Sequence, residues 1–270
     1  AELAEWAADL LFWGVPALPL PSFDADPYSG SSPHARTQEQ RAVALWQLQG
    51  NEVPAVVMSA RSLVQRTVSP DEAARLGIEA GRDQELPPDR LVKHLIAVGY
   101  VREDPVVSPG QFSVRGGIID VWSPDADIPL RLEFFGDHLD SIRSFNPETQ
   151  LTIAHLTACR IAPMRELAAA PQDLKDWAFF AKERFRDERF RRYLKDRTDL
   201  AAEGEAFSGW EFVLPLSSPL RGSTFAHLGD MLLILDEPSA IENTLSNLYN
   251  YLQNEYHASD EAGDIVLEHA

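Results

Sequence analysis

The sequence predicts an α/β chain interrupted by an α+β module whose sheet is antiparallel. Two observations carry that expectation. A helix-period stretch is followed by a short continuous apolar run, AVVMSA at 55–60, the pattern of a strand in a covered parallel sheet. Between about 101 and 161, short alternating runs are instead separated by turn residues, as in an antiparallel sheet. Helical texture returns after Pro163. The expected divisions are 1–76 for the first α/β part, 77–164 for the inserted module and 165–270 for a helix-rich return.

Taken in order, Leu3, Trp6, Leu10 and Trp13 fall at helical spacing before the breaker Gly14-Val15-Pro16. The chain opens on Ala1 directly into this run, which reads as a cut end of something longer. PSFDADPYSGSSPH (21–34) has loop composition. ARTQEQRAVALWQLQ (35–49) reads as a helix with Val43, Leu45, Trp46 and Leu48 turned inward. SLVQRTVSP (62–70) is expected to begin a short helix that Pro70 ends. ELPPDRLVKHLIAVGY (85–100) is a helix with proline at its start and Gly99 as its stop. A charged helix is expected over 171–197, a strand over MLLILDEP (231–238), and a last helix over 239–256.

Composition excludes several functions. A formal net charge of -18 argues against general affinity for nucleic acid, which depends on neutralising phosphates. Cys159 is the only cysteine, so no intrachain disulfide or cysteine metal cluster can form. The longest apolar stretch, LLFWGVPALPLP (10–21), is short and carries three prolines, so no segment could span a membrane and a cytoplasmic protein is expected. There is no G-x-x-x-x-G-K-[ST] phosphate cradle, no H-E-x-x-H and no G-x-S-x-G. LLILDEP has the acidic end of a Walker B strand but no phosphate loop to serve, so a structural or vestigial strand end is expected. No catalysis, cofactor or metal is expected of these residues. AKERFRDERFRRYLKDR (181–197) mixes bases and acids, several at i,i+4 spacing. It reads as a solvated helix with Phe185, Phe190 and Leu194 inward, or as a docking surface for DNA or an acidic domain.

The strands hold the more specific signal. In LRLEFFGD (130–137), alternation puts Leu130, Leu132 and Phe134 on one face, and Arg131, Glu133 and Phe135 on the other. An exposed aromatic beside an arginine is the composition of a protein-binding hot spot. In FSVRGG (112–117), Phe112 and Val114 point inward, and Ser113 and Arg115 outward. Gly116-Gly117 is expected to mark a bulge or a close approach of backbone, re-aiming what comes next.

GQFSVRGGIIDVWSPDADIPLRLEFFGDHLDSIRSFNPETQ (110–150) resembles a module shared by two families of bacterial nucleotide-excision-repair proteins. These are the helicase-like excinuclease subunit UvrB and the transcription-repair coupling factors (Mfd). The likeness lies in R-G-G-x-I-D, then R-x-E-F-F-G-D, then I-R-S-F-N-P-x-T-Q at fixed spacing. LPSFDADPYSGSSP (20–33) and VVMSARSLVQRTVSP (56–70) resemble the coupling factors, and the tyrosine-rich hairpin of UvrB is represented here only by Tyr28. The resemblance is even over about 1–165 and weaker over 166–270.

It implies that the module binds UvrA, the damage-recognising ATPase, through Arg115, Arg131 and Phe135, with Glu133 and Asp137 as weaker candidates. It also implies that the flanking segments form a partial, degenerate RecA-like (P-loop NTPase-type) domain, with Asp236-Glu237-Pro238 a relic of its ATPase. The first strand and the degenerate phosphate-loop region are missing, so an incomplete sheet is expected. RNA polymerase, DNA, ATP and magnesium would then belong to other regions of a longer translocase. The competing reading is a fragment of a UvrB-type DNA-dependent ATPase.

Overall fold

The computed structural model describes residues 2–50 and 53–268. The chain divides into two units, one of residues 1–37, 53–69 and 169–270, the other of residues 38–52 and 70–168.

In the first unit, helix Glu2–Phe12 ends at Gly14, and strand Ala17–Leu20 pairs in parallel with Ala55–Met58, Leu20 opposite Met58. The expected buried strand at 55–58 is only half-buried, because this sheet has two strands among the described residues and neither face is fully covered. Ser59 caps the helix Ala60–Val64 by accepting the amide of Ser62. The chain then enters a short strand, Arg66–Thr67, paired with Gly222–Ser223. Pro70 does not end a helix as expected. It opens the next one, Pro70–Ala74, the first-turn position where a missing N–H removes no hydrogen bond.

The expected charged helix is two helices, Pro171–Arg184 and Arg191–Ala202. Phe185 leaves helical geometry, and the Asp187 carboxylate accepts the Arg189 amide to cap a short 3-10 turn, Glu188–Phe190. Phe185 and Phe190 then meet edge to face at 5.0 Å, both buried, so an aromatic contact and a cap outweigh helix continuation. Fully buried Trp177 donates to the carbonyl of Val213 at 2.9 Å and lies 4.6 Å from the ring of Phe207. The strand expected at 231–238 does not form: Met231, Leu232, Leu233, Ile234 and Leu235 are exposed and lie outside any described strand. An apolar run becomes a strand only beside another strand's free edge, and no described strand adjoins this one. The last helix is longer than expected, Pro238–Glu261.

The second unit is built on a six-stranded sheet. From one edge its order is Thr152–Leu156, His138–Phe145, Leu130–Phe135, Ile118–Val121, Gln111–Arg115 and Val101–Arg102. All neighbours are antiparallel except the last pair. Phe112, Ile119, Leu132, Leu139 and Ile142 are buried in its core, together with Leu91 and Leu95 of helix Pro88–Ala97. Gly99, with φ +99°, ends that helix as expected. Strand Ile78–Gly81 pairs with Ala158–Ile161, which the sequence did not suggest. Most of helix Ala35–Gln47 groups with this unit, where the guanidinium of Arg41 meets the carboxylate of Glu166, both fully buried.

Candidate functional site

Gly116 and Gly117 are not a bulge. They are the two-residue loop of a hairpin joining Gln111–Arg115 to Ile118–Val121, with Arg115 opposite Ile118. Gly116 has φ +61°, a conformation such tight loops demand and side chains resist. A second hairpin, Leu130–Phe135 with His138–Phe145, turns on Gly136-Asp137, and Gly136 repeats the same φ of +61°. Because Ile118 lies opposite Glu133, both tips fall at one end of the sheet. The Phe134 amide donates to the Gly117 carbonyl at 2.8 Å, and a Cβ on Gly117 would stand 3.0 Å from the Phe134 carbonyl oxygen. Gly116→Ala is therefore expected to destabilise the fold by about 1–2 kcal/mol, read from urea unfolding.

The bulge lies between the strands of the second hairpin. Glu133 pairs with Ser141 but Phe134 with Leu139, so Asp140 is the extra residue. That shift keeps Leu139 and Ile142 both buried although they stand three apart. It also leaves Phe135 opposite His138 at the tip, with Phe135 83% exposed.

Pairing across four strands aligns two rows. One contains Ser113, Asp120, Arg131 and Arg143; the other contains Arg115, Ile118, Glu133 and Ser141. Ser113 was expected outward, and although it shares this polar row it is buried, its hydroxyl without a hydrogen-bond partner among the described residues. The Asp120 carboxylate receives Arg131 Nε at 2.7 Å and Nη2 at 2.8 Å, and also receives Nη2 of Arg115. Arg131 Nη2 donates further to Gln150 Oε1 at 2.9 Å, and its guanidinium lies 4.4 Å from the ring centroid of Phe145. Hydrogen bonding to Asp120 raises the pKa of Arg131 further above its already high value. Glu133 is engaged within the sheet by Arg143 and by Ser141 Oγ at 2.6 Å.

All five residues singled out in the sequence thus lie at or near the same end of one sheet, in different states. Phe135 and Asp137 are exposed at the tip, Arg115 is 43% exposed, Arg131 is 15% exposed and Glu133 is half-buried. Sequence reasoning passed over Asp120, Arg143 and Gln150. The signal for Asp120 was present: an acid inside the apolar run IIDV, where only a partnered carboxylate is tolerated. Among the described residues, no group of three or more histidine, cysteine or acidic side chains is arranged to hold a metal ion.

The extent of this unit matches a known family. Residues 78–167 match the UvrB interaction domain. The interaction domain therefore covers both hairpins and the whole arginine–aspartate row. Beyond it, the chain is 30% identical to the transcription-repair-coupling factor of Myxococcus xanthus over 265 residues, 93% of this chain and 22% of that protein. It is 39% identical to the Bacillus subtilis transcription-repair-coupling factor over 146 residues, 53% of this chain and 12% of that protein. The UvrABC system protein B of Chlorobaculum tepidum is 33% identical over 120 residues, 44% of this chain and 18% of that protein. The chain thus spans about a fifth of these relatives' length or less. No helix among the described residues is long and apolar enough to cross a membrane.

Proposed function

We propose that this chain is the part of a bacterial transcription-repair coupling factor that binds UvrA. It would recruit UvrA to stalled transcription complexes in nucleotide excision repair, by protein–protein binding and without ATPase activity of its own. The observation that carries this reading is Phe135, fully presented at the tip of a sheet whose adjoining polar groups are already paired with one another. An exposed aromatic set among ordered arginines can bury its ring in a partner's pocket while the arginines meet carboxylates at the margin. The match to the interaction domain and the likeness to the Myxococcus xanthus coupling factor along 93% of the chain support it.

On this reading the first unit is the degenerate RecA-like domain, and the divisions at 77 and 164 bound the inserted module. RNA polymerase and DNA belong to other regions of a cytoplasmic protein, with ATP and magnesium serving a translocase elsewhere in it. The second reading is a fragment of a UvrB-type DNA-dependent ATPase, favoured by the likeness to UvrABC system protein B over 120 residues. Calorimetric titration of the chain with UvrA, a labelled ATP analogue and short duplex DNA separates the two. Saturable UvrA binding with flat responses to nucleotide and DNA is expected. Nucleotide binding, with DNA binding that weakens steeply with salt, would favour the second reading instead.

A further inference from the structure

If this face meets UvrA as proposed, the two arginines on it are both tied to a residue that UvrA cannot reach. Only 2% of the Asp120 side chain is exposed. Its position in the central strand Ile118–Val121 places it directly opposite Arg131 on one side and Ser113 on the other. Both oxygens engage Arg131 as a bidentate fork, and the second also holds Arg115 from the neighbouring strand. One buried carboxylate therefore fixes the planes of two guanidinium groups that belong to different hairpins. Arg131 is further braced by Gln150 and by the face of the Phe145 ring. Among the described residues Arg115 has a looser second neighbour, the exposed Asp104 at 3.9 Å.

We propose that Asp120 is the positioning residue of this binding face, holding Arg115 and Arg131 in the orientations in which they receive the partner's carboxylates. It acts through the arginines and makes no contact with the partner itself.

Two roles open to Asp120 have opposite signs. Acting only as a charge, it offsets the arginines, and removing it would draw an acidic partner more tightly. Acting as a positioning group, it has already ordered two long side chains. Without it, that ordering must be supplied at the moment of binding, which opposes association. Within the row itself Asp120 is the one carboxylate, flanked by Arg131 on one side and the uncharged Ser113 on the other.

The test uses Asp120→Asn, which keeps the shape, retains one acceptor oxygen and removes the charge. Calorimetry against UvrA is expected to show affinity reduced about 5- to 150-fold, the range for immobilising two such side chains on binding. Affinity equal to or tighter than that of the parent chain overturns the proposal. A second measurement does not depend on the variant folding or on UvrA. In the parent chain, nitrogen-resolved NMR of arginine Nε–Hε groups should show Arg131 exchanging with water far more slowly than exposed Arg82. Equal exchange rates for the two overturn the proposal. If the parent chain fails to bind UvrA, the partner reading falls. The positioning role is then decided by whether Asp120→Asn accelerates Arg131 Hε exchange, as it predicts, or leaves it unchanged.

Discussion

Replacing Phe135 with alanine is expected to weaken binding to UvrA by about 2–4 kcal/mol, roughly 30- to 1,000-fold, without loss of stability. The ring is 83% exposed, so the unbound fold gains almost nothing from it, and unfolding should shift by no more than about 0.5 kcal/mol. In a complex the situation reverses. A buried aromatic removes roughly 150–250 Å² from water, which at about 25 cal/mol per Å² amounts to about 4–6 kcal/mol before binding costs. Side-chain ordering and desolvation of the neighbouring polar groups reduce that gross figure to the expected range. Calorimetric titration of Phe135→Ala beside the parent chain, with urea unfolding of both, provides the measurement. An unchanged affinity in a folded variant would remove this face from the proposed interface. Loss of stability together with affinity would mean the ring serves the fold instead.

Part of this site was legible in the sequence because β-structure has a strict period. Alternation along Leu130–Phe135 assigns Arg131, Glu133 and Phe135 to one face without knowledge of any neighbour, and the structure keeps that assignment. What alternation cannot supply is how far each face is covered. Ser113 shares the polar row yet is buried, and Arg131, on the outward face as expected, turns Nε and Nη2 to Asp120. The Gly116-Gly117 pair shows a different limit. The dipeptide suits a two-residue hairpin loop as well as a bulge, and the strand Ile118–Val121 beyond it decides the matter. The true bulge, at Asp140, carries no glycine and arises from the need to bury Leu139 and Ile142 together.

Outside the six-stranded sheet, expectation and structure differ where the outcome depends on a neighbour. MLLIL at 231–235 has strand composition, but composition cannot provide an adjoining edge. The break at Phe185–Asp187 depends on a contact with Phe190 and a cap at Asp187, both local but weaker as signals than the surrounding helix formers. Pro70 was misread because proline marks a helix start as readily as its end. Helix termini and strand existence are thus settled by packing partners, whereas face assignment within a strand is settled by the chain itself.

The buried pair of Arg41 and Glu166 supports a prediction about stability that is independent of any partner. Arg41 approaches the carboxylate through Nη2 at 3.1 Å and Nε at 3.2 Å, with both side chains shielded from water. Arg41→Ala is expected to destabilise the chain by about 3–5 kcal/mol at neutral pH, because it strands an uncompensated buried charge. Burial raises the pKa of Glu166, while the charge and hydrogen bonds of Arg41 pull it down. In the variant only the raising influence remains. A carboxyl group whose folded pKa lies above its unfolded value, about 4.3 for glutamate, favours the fold below that unfolded value. That contribution is lost as pH rises through the folded pKa. The deficit of Arg41→Ala should therefore be larger at pH 7 than at pH 5, since a raised pKa favours protonation of Glu166 as the pH falls. Urea unfolding of parent and variant at both pH values measures it. A deficit under about 1 kcal/mol, or one equal at the two pH values, would show that the pair does not carry this energy. Arg41→Met combined with Glu166→Leu should recover part of the loss, since filling the space with apolar groups removes the stranded charge rather than exposing it.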